Sequence, residues 1–311
     1  MKKLYFAFAL LFPFTLAAQQ LPDGTPFQEN QFIWNPAMTA VYDYWELGAT
    51  YRQQWLGFND APTTATMQVQ YPFRRKKFSL GGYFMFDDVG PVRYTSLAFS
   101  YAYKFSPRFR KYDQLSIGFM GILNQFFVDG LEVEVNDQDD AFIPRNESSG
   151  FSPNASVGVF YTSYGREDRK KDYFYAGIAA NQLIPSNLTL EQAQGSSDAN
   201  FQRAIHANAI VGYRFIEDEL FIEPMLWVNY AMANLVNGYI GIRLEQYKAF
   251  WGGLTYSSNQ TVGIQAGYIL PEIWNKDDAV RIGLNGTYNI GNFGNYRSVG
   301  FEFYTAYRFE L

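Results

Sequence analysis

The chain has 311 residues, no cysteine, a single histidine and a formal net charge of −5. These values exclude a disulfide framework or thiolate site, leave no room for a multi-histidine metal centre or most catalytic triads, and argue against a global nucleic-acid-binding surface. Aromatic residues reach 19%, with 26 glycines, while hydropathy averages near neutral. A membrane β-barrel gives that combination, because only alternate residues face lipid and aromatic rings gather at the interfaces.

In chain order, Lys2 and Lys3 precede an apolar run over residues 4–18. A charged start, an apolar stretch and small residues at Ala17 and Ala18 predict a secretory signal peptide over 1–18, cleaved after one of those alanines. The run spans about 15 residues where a crossing helix needs roughly 20, and it contains Pro13. Removal of both lysines takes the net charge to −7. Residues 19–44 form an N-terminal periplasmic segment that includes Phe32, Ile33, Trp34, Asn35, Pro36 and Ala37. Pro36 prevents a regular ladder there, and apolar side chains are costly to leave in water, so the segment is expected to plug the inner mouth of a barrel.

From residue 45 to 311 the alternation of large apolar with small or polar residues recurs. It predicts fourteen strands, near 45–55, 64–71, 78–86, 94–105, 115–123, 155–162, 173–181, 205–215, 220–230, 239–244, 249–256, 262–270, 280–290 and 299–311. In the last, Val299, Phe301, Phe303, Tyr307, Phe309 and Leu311 share one side. Gly300, Glu302, Tyr304, Ala306 and Arg308 share the other. An all-β, single antiparallel transmembrane barrel in an outer membrane is the expected fold. A soluble sandwich or solenoid fits less well, since the second face reads as mainly small and polar rather than charged.

With both barrel ends periplasmic, the two longest connections, 126–151 and 183–201, fall outside, and the short turns 74–77, 107–111, 165–171 and 217–219 fall inside. The first outer loop is acidic (Asp129, Glu132, Glu134, Asp137, Asp139, Asp140, Glu147), whereas the inner turns carry Arg74, Arg75, Lys76, Lys77, Arg108, Arg110, Lys111, Arg166, Arg169, Lys170 and Lys171. A basic rim suits an acidic partner or lipid headgroups.

No catalytic, cofactor-binding or metal-binding constellation appears. His206 is expected in the lumen beside Asn208, as a structural residue. Asn136, Asp137, Asp139 and Asp140 lack the glycine and glutamate of a calcium loop and read as a solvated acidic turn. Glycines inside strands read as bends and close packing of the wall.

Three elements together resemble a family. They are Asn35-Pro36-Ala37, then the run from Tyr51 through Arg52, Gln53, Gln54, Trp55, Leu56 and Gly57 to Phe58, then Ala61-Pro62-Thr63-Thr64. With Leu80-Gly81-Gly82, Asp87, Asp88, Gly90 and the stretch 115–119, they make the mature chain similar to the PorP/SprF outer-membrane proteins of Bacteroidetes. Met38-Thr39-Ala40 departs from that family's usual small residue and glycine. The resemblance implies a non-enzymatic barrel of the type IX secretion system, often linked to gliding motility. Its implied partners are a large adhesin with a type B C-terminal sorting domain and a periplasmic PorK/PorN ring, with outer-membrane lipid around it. Candidate partner-binding or plug-shaping residues are Asn35, Pro36, Arg52, Gln54, Trp55 and Pro62. Arg52 and Gln54 face inward by parity and are expected to hold the N-terminal segment, with Trp55 shaping the periplasmic mouth. The competing expectation is a porin or fatty-acid-type transporter.

Overall fold

Segments with two unlike faces need two unlike solvents, and the computed structural model of the chain meets that need with a closed wall. Described are residues 30–42, 44–73, 76–109, 113–129, 147–148, 150–163, 172–184, 187–190, 199–202, 205–231, 235–247, 249–274, 277–291 and 298–310. The expected signal peptide, residues 19–29, the Asn136 to Asp140 cluster, Leu311 and most of the basic inner turns lie outside them.

The wall strands are β1 Tyr44–Gln53, β2 Thr63–Pro72, β3 Phe78–Val89, β4 Val92–Phe105, β5 Gln114–Val128, β6 Ser152–Thr162 and β7 Tyr173–Asn181. They continue as β8 His206–Glu217, β9 Leu220–Ala231, β10 Leu235–Gln246, β11 Phe250–Ser257, β12 Thr261–Pro271, β13 Asp278–Asn289 and β14 Val299–Glu310. Each pairs antiparallel with the next, and β1 pairs with β14 from Tyr44↔Glu310 to Gln53↔Phe301. Closure removes the sheet edges that lipid would leave unsatisfied. All fourteen expected strands are present, including the division at residues 247–249 between β10 and β11. Outside the wall, Glu147–Ser148 adds to the top of β5, and Asn187–Leu190 pairs with Ala199–Gln202.

The faces divide as the alternation requires. On β4, Leu97, Phe99, Tyr101 and Tyr103 are exposed, while Ser96, Ala98, Ser100 and Ala102 are buried. Phe99 is 68% exposed at mid-strand, so Phe99→Arg is expected to cost about 2–4 kcal/mol in a bilayer. Urea unfolding in liposomes checks this; an unchanged midpoint would mean that this face does not meet hydrocarbon. The connections 129–151 and 182–205 share one rim, which is therefore the outer one. The turns 73–77, 218–219 and 247–249 lie at the other. Asp218 takes φ +53 in the tight β8–β9 turn, a conformation that a short polar side chain tolerates.

Residues 30–42 run inside the wall. Two 3-10 turns, Gln31–Ile33 and Pro36–Met38, present Phe32, Ile33, Ala37 and Met38 to Tyr83, Met85, Met120, Ile122, Ile210, Met225 and Trp227 of the barrel. The expectation that the inward faces are mainly small and polar is thus corrected in one sector only. Tyr83, Met85, Met120, Ile122, Ile210, Met225 and Trp227 are apolar because they pack on an apolar segment and not on water, whereas Ser96, Ser100, Ser116, Ser152, Asn154 and Ser156 keep the expected character.

Candidate functional site

A chain segment enclosed by a barrel, with no sheet to join, must find partners for its backbone among side chains. The Asn35 side chain accepts from Ala37 N–H (3.0 Å) and so caps the second turn, with Pro36 in its favoured first position. Its Nδ2 donates to Val159 O on β6 and Ile178 O on β7, each at 3.3 Å. Asn181 and Asn208 donate to Trp34 O at 2.9 and 2.8 Å. Ser79 donates to Thr39 O (2.7 Å), Ala40 N–H donates to Gln70 Oε1 (2.7 Å), and the Lys104 ammonium donates to Ala40 O. Wall strands β2, β3, β4, β7 and β8 therefore contribute side chains that hold the segment, β6 and β7 offer it backbone carbonyls, and β5 touches it directly. That contact is at Gly118, where a Cβ would overlap the backbone of Pro36 and Ala37. At Gly158 a Cβ would overlap the Asn35 amide. These glycines are absences of side chain that admit the segment, which wall packing alone does not explain.

Below the segment, towards the periplasmic rim, lies a layer of buried ion pairs. Glu245 receives both Arg281 amino groups, at 2.9 and 2.7 Å, and also pairs with Arg243. Glu46 pairs with Arg308 at 2.6 Å and accepts from Gln68 at 3.0 Å. Glu223 pairs with Arg214 and accepts from Tyr175 OH at 2.8 Å. Bidentate geometry and full enclosure make such pairs strongly dependent on both members. The Trp251 ring occupies the space left free at Gly267 and Gly283, with the Arg243 and Arg281 guanidinium carbons 5.2 and 5.9 Å from its centre. The stem of the segment joins this layer, since the Arg214 guanidinium lies 5.6 Å from the Tyr42 ring and that of Arg308 lies 4.4 Å from the Tyr44 ring.

The sequence-derived candidates separate into two places. Asn35 and Pro36 are fully enclosed in the lumen. Arg52, Gln54, Trp55 and Pro62 stand at the far end of β1 and β2, on the outer rim. There Gln54 N–H donates to Pro62 O (2.9 Å), and the Arg52 guanidinium donates to the side-chain amide oxygen of Gln54 (3.2 Å). The expectation that Arg52 and Gln54 hold the segment, with Trp55 at the periplasmic mouth, is corrected by this geometry. Trp55 is half exposed in a loop that also carries Gly57 at φ +93. The residues that do hold the segment, Gln70, Ser79, Lys104, Asn181 and Asn208, were readable as inward-facing by parity. Nothing in their spacing set them apart from other polar lumen residues. His206 takes the inward face at the outer end of β8, two residues from Asn208. Among the described residues, no group of three or more His, Cys, Asp or Glu is placed to hold a metal ion.

The fold is shared with outer-membrane channels. The CymD monoaromatic hydrocarbon channel is similar at 11% identity and a TM-score of 0.56, covering 92% of this chain and 94% of that one. The Pseudomonas putida toluene transporter TodX follows at 8% and 0.54 (91% and 94% covered), and a Pseudomonas aeruginosa FadL homologue at 12% and 0.52 (92% and 95%). At such identities the likeness shows architecture alone and places the chain among outer-membrane barrels. No curated protein matches the chain. The profile of one family, described as type IX secretion system membrane protein PorP/SprF, matches residues 16–307, which include both the Asn35-Pro36-Ala37 element and the β1–β2 motif. The chain belongs to the PorP/SprF family of type IX secretion system membrane proteins.

Proposed function

We propose that this outer-membrane barrel is a non-enzymatic accessory that helps export a large surface adhesin with a type B C-terminal domain, or anchors it at the cell surface. The observation that carries the reading is the filled bore. A barrel whose lumen is occupied by its own Phe32-to-Thr39 segment, gripped by several wall strands, suits a scaffold better than an open pore. The family supplies the secretion context. The outer rim, with its two longest connections, is the surface offered to the adhesin, and the periplasmic rim with Lys76, Lys77 and Arg108 is offered to a periplasmic ring of the PorK/PorN kind. A role in gliding follows if the adhesin is a motility adhesin. A deletion strain tests this: at least one type B adhesin is expected to disappear from the surface and to return on complementation. Normal secretion and display of every such adhesin would overturn the reading.

A second reading, passage of hydrophobic molecules, is favoured by one observation. Behind the segment the wall offers an apolar sector (Met85, Met120, Ile122, Ile210, Met225), which a plain water-filled pore does not need. Uptake of a hydrophobic tracer by proteoliposomes separates the two readings.

A further inference from the structure

The seam between β6 and β7 is regular only in its periplasmic half. Ladder pairs run from Thr162↔Tyr175 to Val157↔Ala180 and then stop, although β6 continues outward to Ser152. In unbroken register Ala155 would face residue 182. Instead Leu183 N–H donates to Ala155 O at 3.0 Å, and Gln182 is displaced at φ +60, which is one extra residue on the β7 side. Beyond that point a side chain does the work of a ladder. Asn154 Nδ2 donates to Gln182 Oε1 (2.9 Å) and Ile184 O (3.0 Å), and its Oδ1 accepts from Ile184 N–H (3.2 Å). Backbone at membrane depth cannot go unpaired, and among the described residues this clasp and the Leu183 to Ala155 bond close the wall there.

The two sides of the seam differ from the rest of the barrel. On the lipid side the bordering residues are Ala155 and Ala180, small where other strands carry Phe, Leu or Tyr. On the lumen side is a cavity of about 20 Å³, lined by Trp34, Tyr83, Met85 and Ile122 together with Ser156 and Gln182. Ser156 and Gln182 line the cavity and flank the clasp, so hydrocarbon and cavity are one side chain apart. The lining is aromatic, thioether and aliphatic, without a charge, and apart from the Tyr83 and Tyr94 rings its polar side chains, Ser156, Asn181 and Gln182, sit at the seam. A volume of that size admits one water at most, so a larger guest must displace Ile33 and Trp34 of the segment.

We propose that this seam is a lateral portal, and that the space held by Ile33 and Trp34 is a binding site for a single acyl chain entering from the outer membrane. The chain replaces apolar side chains on an apolar wall, while Gln182 and Ser156 meet the carbonyl of its head end. The inference rests on the second reading above and adds to it the ligand class and its route of entry.

The absence of cysteine makes the test direct. The purified barrel is placed in liposomes containing a diazirine-bearing fatty acid, photolysed and mapped by mass spectrometry. Adducts are expected on inward-facing Tyr83, Met85 or Ile122 as well as on lipid-facing Phe99 and Ile178. In Asn154→Cys/Gln182→Cys, a reducible bis-thiosulfonate staple joining the two thiols across the seam is expected to lower the inward adducts about tenfold and leave the outward ones unchanged. The same protein when reduced is its own folding control, and its inward adducts should return. Adducts confined to lipid-facing residues, or inward adducts indifferent to the staple, would overturn the portal. Inward adducts that respond to the staple, with no tracer uptake, would support the site and overturn only the transport reading.

Discussion

Gly118→Leu is expected to drive the N-terminal segment out of the lumen while leaving the barrel closed. A side chain at 118 meets the backbone of Pro36 and Ala37, and main chain cannot rotate aside as a flexible side chain does. One of the two elements must move. β5 is laddered along its length to β4, from Val92↔Val128 to Phe105↔Leu115, and to β6, from Asn124↔Ser152 to Gln114↔Thr162. Among the described residues, the segment leads into β1 at Tyr44 and is held by side-chain bonds and apolar packing, without a ladder. The overlap exceeds the ~1–3 kcal/mol of ordinary overpacking, whereas each large apolar side chain released from burial loses about 1.5–3 kcal/mol. Loss of Phe32, Ile33 and Met38 together should therefore lower stability by several kcal/mol without abolishing the wall. Protease cleavage near residue 34 from the periplasmic side should become fast, and ion conductance in planar bilayers should rise from near nothing to that of an open pore. Gly118→Ala should show the same direction with smaller amplitude. Unchanged protection together with an unchanged conductance would mean that the segment does not lie against β5.

Glu245→Leu should be the most damaging single change in the ionic layer. It leaves the Arg243 and Arg281 guanidinium groups, 9% and 4% exposed as side chains, without their carboxylate. An uncompensated buried charge costs about 3–5 kcal/mol, more than the intact pair contributes against an apolar replacement. The sign of the second step distinguishes this cause from a packing defect. Adding Arg281→Met to Glu245→Leu should recover part of the loss, because it removes one of the two buried cations that the carboxylate had balanced. In a double-mutant cycle by urea unfolding in bilayers, additive losses would show that the two residues are not coupled.

The wall was legible in the sequence because each strand solves the same problem, hydrocarbon on one face and not on the other. Leu97-Ala98-Phe99-Ser100-Tyr101-Ala102 on β4 states it without ambiguity. The enclosed segment was legible only in outline. Pro36 and the apolar run around it required shelter, but neither identified the strands that shelter them. On β9, Met225 and Trp227 face inward between Leu226 and Val228 facing out, so the two-residue period is blurred where the lumen holds a hydrophobic guest. Gly118 and Gly158 look in the sequence like any wall glycine, and their meaning depends on a neighbour more than 80 positions away. Arg52 and Trp55 were placed with Asn35 because their motifs are close in the sequence. One pass of β1 across the membrane separates them, and proximity in sequence carries no such information.

The join of β1 to β14 has a further bearing on biogenesis. Glu46 and Arg308, bonded in the finished wall, are 262 positions apart, and the Asn35 region draws its partners from strands made after it. A nascent chain carries Phe32 and Ile33 unsatisfied until most of the polypeptide has been delivered. Periplasmic chaperones would therefore see this stretch as the longest-lived mark of an unfinished molecule, and its disappearance into the bore as the sign of completion.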